Sequence, residues 1–227
     1  MRARATGAAA AGGAMTGAAD ADAARERASQ ARLAERGYED VAGLLRALHG
    51  DEHQGVRAEA AFLLGRLGDD ARAALGGDAR AGLAGGDDDA RAGLAGGDDA
   101  RAGLAAAARD DGAARVRVEA ALALGRLGDP AAALPILRAE VEGAFFADAP
   151  IRAARALALL GDASGWPRIE AALASDQPAE RMEAVASLSA FVPLAGATID
   201  PVAALHRASG DPEPVIANDA RAALEHL

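Results

Sequence analysis

A stretch that occurs twice constrains this chain more than any single motif. Val116-Arg117-Val118-Glu119-Ala120-Ala121-Leu122-Ala123-Leu124-Gly125-Arg126-Leu127-Gly128-Asp129-Pro130 is nearly restated by Val56-Arg57-Ala58-Glu59-Ala60-Ala61-Phe62-Leu63-Leu64-Gly65-Arg66-Leu67-Gly68-Asp69. Internal repetition implies a stack of like units, each burying its apolar face on the next, and not one closed core. In the later copy Val116, Ala120, Ala123, Leu124 and Leu127 recur at helical spacing and give a narrow face of small apolar residues. Gly128 is placed for a left-handed cap. Pro130 is placed in the first turn of the next helix, where its missing N–H leaves no bond unmade.

Weaker copies follow. Helical patterns run from Ile151 to Leu160 before Gly161-Asp162, from Arg181 to Leu188, and from Val215 to Leu227. A first helix precedes four of the five second helices: 38–50, 131–142, 166–174 and 201–209. The matched positions Arg57, Arg117, Arg152, Arg181 and Ile216 lie at intervals of 60, 35, 29 and 35 residues. The first interval is twice the others, which predicts a degenerate unit within 70–105. There Asp78-Ala79-Arg80-Ala81-Gly82-Leu83 recurs with small changes from Asp89 and Asp99, and glycine pairs separate the copies. Such pairs weaken helices, so short helical turns or fraying are expected, with one copy drafted into the stack. Residues 23–36 form a helix ending at Gly37, with Leu33 as its only large apolar side chain. Residues 1–22 read as an Ala/Gly-rich leader without fixed structure, and Met15 offers an alternative start. The expected fold is an all-α solenoid of about five to six stacked antiparallel helix pairs over 23–227.

Composition narrows the chemistry. With no Cys, disulfides, thiolate nucleophiles and thiolate metal ligands are excluded. One Trp, one Tyr and four Phe are too few to line a large cofactor pocket. A net charge of −10 opposes general binding to a phosphate backbone, so no nucleic-acid partner is expected. All 24 basic residues are Arg, which reads as a GC-rich coding bias. No segment has the length and apolarity of a membrane span, and the leader is too weakly hydrophobic for a secretory signal; a cytoplasmic protein is expected. The four histidines, His49, His53, His206 and His226, are scattered and none precedes a Glu, so neither metal nor cofactor is expected. The Gly/Asp tract lacks the nine-residue period of calcium-binding β-rolls.

Taken together, Val116-Arg117, Ala120-Ala121, Ala123-Leu124-Gly125, Leu127-Gly128-Asp129-Pro130 and Pro135-Ile136-Leu137 resemble the HEAT-repeat family. The likeness is to the short HEAT-like repeats first associated with phycobilisome lyases, and it extends with decreasing strength over 38–227. The resemblance implies an Arg–Asp ladder, in which each second-helix Arg follows an Asp in the preceding turn. These pairs are Asp51 with Arg57, Asp111 with Arg117, Asp148 with Arg152, and Asp176 with Arg181. Ile216 stands where a fifth Arg is expected, so the ladder ends there.

In such an array the second helices line one face. Positions free to vary between copies fall in two rows, Glu59, Glu119, Ala154 and Glu183, then Phe62, Leu122, Leu157 and Ala186. These predict an apolar stripe edged by carboxylates, suited to a helix or an Arg-bearing segment of a protein partner. Phe145-Phe146 offers a second anchor in the turn of the third unit. The expected function is a non-enzymatic interaction scaffold. The alternative is an enzyme or subunit like the phycobilin lyases and isomerases. End-to-end self-association is open to an array whose terminal units lack polar caps.

Overall fold

A computed structural model describes residues 23–75, 88–143, 148–195 and 198–227, with the side chains of 68–75 and 88–96 not described. The 1–22 leader and Phe145 and Phe146 lie outside these residues. The chain is all-α: α1 (23–34), α2 (Val41–Gly50), α3 (Gln54–Leu75), α4 (Asp88–Asp110), α5 (Ala114–Arg126), α6 (Pro130–Glu142), α7 (Asp148–Leu159), α8 (Trp166–Leu173), α9 (Pro178–Leu188), α10 (Pro201–Ala208) and α11 (Pro214–Glu225). Short 3₁₀ turns at Ala163–Gly165 and Val192–Leu194 complete it. Packing within each unit is solenoid-like, helices resting on others near them in the chain. Two compact units result, one within Glu26–Leu137 and one within Arg138–Leu227.

In the first unit α2 packs on α3, α4 packs on α5, and α3 packs directly on α5. That last contact corrects the degenerate unit expected between them: the two strong copies are neighbours in the stack. The sixty-residue interval is taken up largely by long helices. Gly68 does not end α3 as Gly128 ends the α5 copy. Gly128 has φ +89 and is followed by Pro130, whose ring fits only the start of a new helix. Gly68-Asp69-Asp70 has no proline, and the helix-forming Ala-Arg-Ala-Ala-Leu continues α3 to Leu75. The Asp88–Asp110 segment is likewise one helix and not a series of short turns. Its last copy is the drafted one, with Leu104 and Ala108 fully buried and Ala100 and Ala107 nearly so.

Small residues set the spacing. A Cβ on Gly65 would stand 2.7 Å from Cβ and 2.9 Å from Cα of Ala123, so α3 and α5 meet at backbone distance. In the second unit α7, α8 and α9 pack on one another, and α9 and α10 on α11. Their common core holds Ile151, Ile169, Leu188, Phe191, Leu205 and Ile216. Trp166 closes it edge-on to Phe191, ring centres 5.4 Å apart.

Candidate functional site

Among the described residues the turns between first and second helices are built alike, and they position the Arg side chains of the second helices. At four of them a side-chain oxygen accepts the backbone N–H two residues on. Asp51 takes His53 at 2.9 Å, Asp111 takes Ala113 at 2.8 Å, Ser175 takes Gln177 at 3.1 Å and Asp211 takes Glu213 at 2.8 Å. This is the Asx-turn preference of short polar residues, and it presents the turn's own carbonyl to the helix that follows. Six residues on, an Arg donates through Nη1 to that carbonyl: Arg57 to Asp51 O (2.8 Å), Arg117 to Asp111 O (2.8 Å) and Arg181 to Ser175 O (2.9 Å).

The rest of the guanidinium reaches the next turn. Arg57 forks onto the Asp111 carboxylate at 2.7 and 3.0 Å, and Arg181 onto that of Asp211 at 2.8 and 3.1 Å. The ladder thus joins neighbouring turns, where the sequence pairs each Arg with the carboxylate before it. The reason is geometric: the near turn is reached through its carbonyl, and only the far carboxylate faces the fork. Asp51 instead accepts from Arg36 and Tyr38, and Asp176 is an exposed turn residue. Arg152 departs further. Ser175 occupies the turn position that Asp111 and Asp211 hold elsewhere and carries no charge. Arg152 bonds Glu183 on α9 at 3.0 Å and, at 3.4 Å, Asp148 in the first turn of its own helix. Counted from the turn at Asp211, the Arg position is Ala217 and not Ile216; there Arg221 takes the carbonyl of Ser209 at 2.9 Å.

Burial pushes the Asp111 carboxyl upward. Hydrogen bonds from Arg57 and the Ala113 N–H, with the charges of Arg57 and Arg117, outweigh it and hold the group below the ordinary carboxylate range. The Arg181 hydrogen bonds hold Asp211 low against a smaller desolvation effect. Each rung floors a shallow cleft between the ends of first helices. One of about 340 Å³ lies over Arg57 and Asp111, flanked by His49 and Asp110. Its repeat equivalent, about 330 Å³, lies over Arg181 and Asp211.

The predicted stripe is largely interior, which corrects its apolar row. Phe62, Leu122 and Leu157 are 2%, 7% and 0% exposed, because the close approach of Ala- and Gly-faced helices covers side chains that wider spacing would leave open. Glu119 is buried at 6%, whereas Ala186 is exposed. The remaining carboxylates are engaged: Glu183 by Arg152, and Glu59 by Arg32 of α1 in a fork at 2.7 to 3.1 Å. A second ion pair, Glu26 to Arg66 at 3.2 Å, joins the same two helices. The sequence marks α1 as no more than a marginal cap held by Leu33, and the ion pairs to α3 add to that. The one sequence signal for those pairs is the charge pattern Glu26…Arg32, complementary to Glu59…Arg66 read in reverse.

Among the described residues no three His, Cys, Asp or Glu side chains are grouped to hold a metal ion. Among them, too, no helix is long and apolar enough to cross a membrane. No curated protein matches the chain. Residues 116–141, which hold Arg117, the small-residue face of α5 and the Gly128 stop, match the family model of the PBS lyase HEAT-like repeat.

Proposed function

We propose that the chain is a non-enzymatic, cytoplasmic interaction scaffold that holds a protein partner on the exposed face of its second helices. The observation that carries this reading is the recurrence of one turn device at residues 51, 111 and 175. It spends the polar chemistry of the chain on holding helices in register, and it leaves Arg57, Asp111, Arg181 and Asp211 already engaged within the clefts they floor. A registered helix stack is a binding surface. On α9 the available positions are Met182, 43% exposed, and Ala186 beside the Arg152–Glu183 pair. Phe145-Phe146 is the aromatic anchor to test next.

The test is capture of partners from extract of the producing cells by wild type and by Met182→Glu/Ala186→Glu, both checked for helicity. A stoichiometric partner retained by wild type and lost by the folded variant is expected. Retention by the variant, or no partner at all, overturns the placement or the reading respectively. The repeat's description favours a second reading, a lyase-like subunit acting on a linear tetrapyrrole. A saturable absorbance shift on adding a bilin to the purified chain would select that one.

A further inference from the structure

We propose that α1 is a displaceable occupant of a helix-binding groove on α3. The groove's partner in trans is a helix carrying a carboxylate and a guanidinium six residues apart, with a leucine one residue beyond the guanidinium. This rests on the scaffold reading above and names the chemistry of one of its surfaces. Three observations carry it.

First, the groove selects a pattern. Glu26 meets Arg66 and Arg32 meets Glu59, so α1 runs antiparallel to α3 with an acid–base pair at each end of the contact. Reversing the direction of the bound helix would set carboxylate against carboxylate and guanidinium against guanidinium. Charge complementarity of this kind fixes register and orientation. Second, α1 is lightly held. From 26 to 34 only Ser29 and Leu33 are buried, and Arg32 keeps 54% of its side chain exposed within its ion pair. The exposed Arg32 pair adds little stability, which leaves one leucine and the half-buried Glu26–Arg66 pair as the anchors. Third, open clefts flank α1 and leave room beside it on α3. A cleft of about 860 Å³ opens along one side between Arg32, Arg36 and the start of α3, and another of about 200 Å³ lies between Gln30, Ala34 and the Leu63 and Leu67 side chains. A helix seated by one leucine, one exposed charge pair and one half-buried pair competes with any incoming helix of the same pattern and lowers its apparent affinity by the fraction of time the groove is closed.

A fluorescein-labelled peptide of residues 23–36 serves as the probe, read by anisotropy against the full-length chain. Loosening α1 in the full chain with Leu33→Ala is expected to raise peptide affinity roughly tenfold or more over wild type. Adding Arg66→Glu to that chain is expected to abolish the gain, and a peptide with Glu26→Arg to restore it. In wild type, hydrogen exchange is expected to be faster in α1 than in α3. The inference is overturned if folded Leu33→Ala binds the peptide no better than wild type, if Leu33→Ala unfolds the unit, or if α1 and α3 exchange together. A Leu33-dependent dimer would overturn it in favour of a second copy's α1 as the occupant. If an extract partner is captured equally by wild type and Leu33→Ala, the scaffold reading stands and this one fails.

Discussion

Asp111 shows how much one residue does in this fold. Its carboxylate closes its own turn through the Ala113 N–H and takes the Arg57 fork from the preceding copy, with 9% of its side chain exposed. Asp111→Asn keeps the shape and loses the charge, and is expected to lower stability by about 1–3 kcal/mol in urea unfolding. The effect depends on pH with a definite sign. A carboxyl whose pKa is lower folded than unfolded contributes stability that is complete above the unfolded value, near pH 4, and lost as pH falls through the folded value. The difference between wild type and Asp111→Asn is therefore expected to be constant from pH 5 to 7 and to shrink below about pH 4. A difference that grows on acidification would mean the rung does not hold Asp111 ionised. Asp and Arg were legible as a pair of residue types at these turns. Their register was not, because a carbonyl leaves no mark in a sequence and Arg57 spends one of its nitrogens there.

At the scale of helices, glycine placement decides spacing. Gly65 and Gly55 both sit in α3, and nothing in their immediate neighbours in the chain tells their roles apart. A Cβ on Gly65 runs into the Ala123 backbone, whereas at Gly55 it meets nothing within 4 Å. Gly65→Ala is expected to destabilise by about 1–3 kcal/mol through overpacking, against the gain in helix propensity. Gly55→Ala is expected to stabilise by a few tenths to about 1 kcal/mol. Thermal melts of the two variants check this, and melting shifts of the same sign would refute the close approach of α3 and α5. The cap at Gly128 was readable because Pro130 follows it. The continuation of α3 through Gly68 follows from the missing proline, a weaker signal than the glycine that stands there.

Across the whole molecule, burial separates the core from the surface in a way that repeat comparison reads only in part. Phe62, Leu122 and Leu157 vary between copies as surface positions do, yet they are interior. Leu157→Glu would place a charge where no exposure remains, a cost of several kcal/mol against a total stability of roughly 5–15 kcal/mol for a domain. Loss of the cooperative melt by circular dichroism is expected, whereas Ala186→Glu, at an exposed position of the same row, is expected to melt as wild type does. A cooperative Leu157→Glu would restore the stripe as a surface.

What the sequence determined by itself is the local and periodic part: helices from 3.6-residue spacing, their ends from Gly128 and Gly161, and a stack from restated units. These follow because backbone preference and amphipathic period act within a few residues of one another. Which turn each Arg reaches, how closely α3 meets α5, which apolar residues are covered, and that α1 lies on the Glu59–Arg66 face depend on residues tens of positions apart. Only the tertiary structure decides them, because each is set by which surfaces remain unburied once every helix has packed.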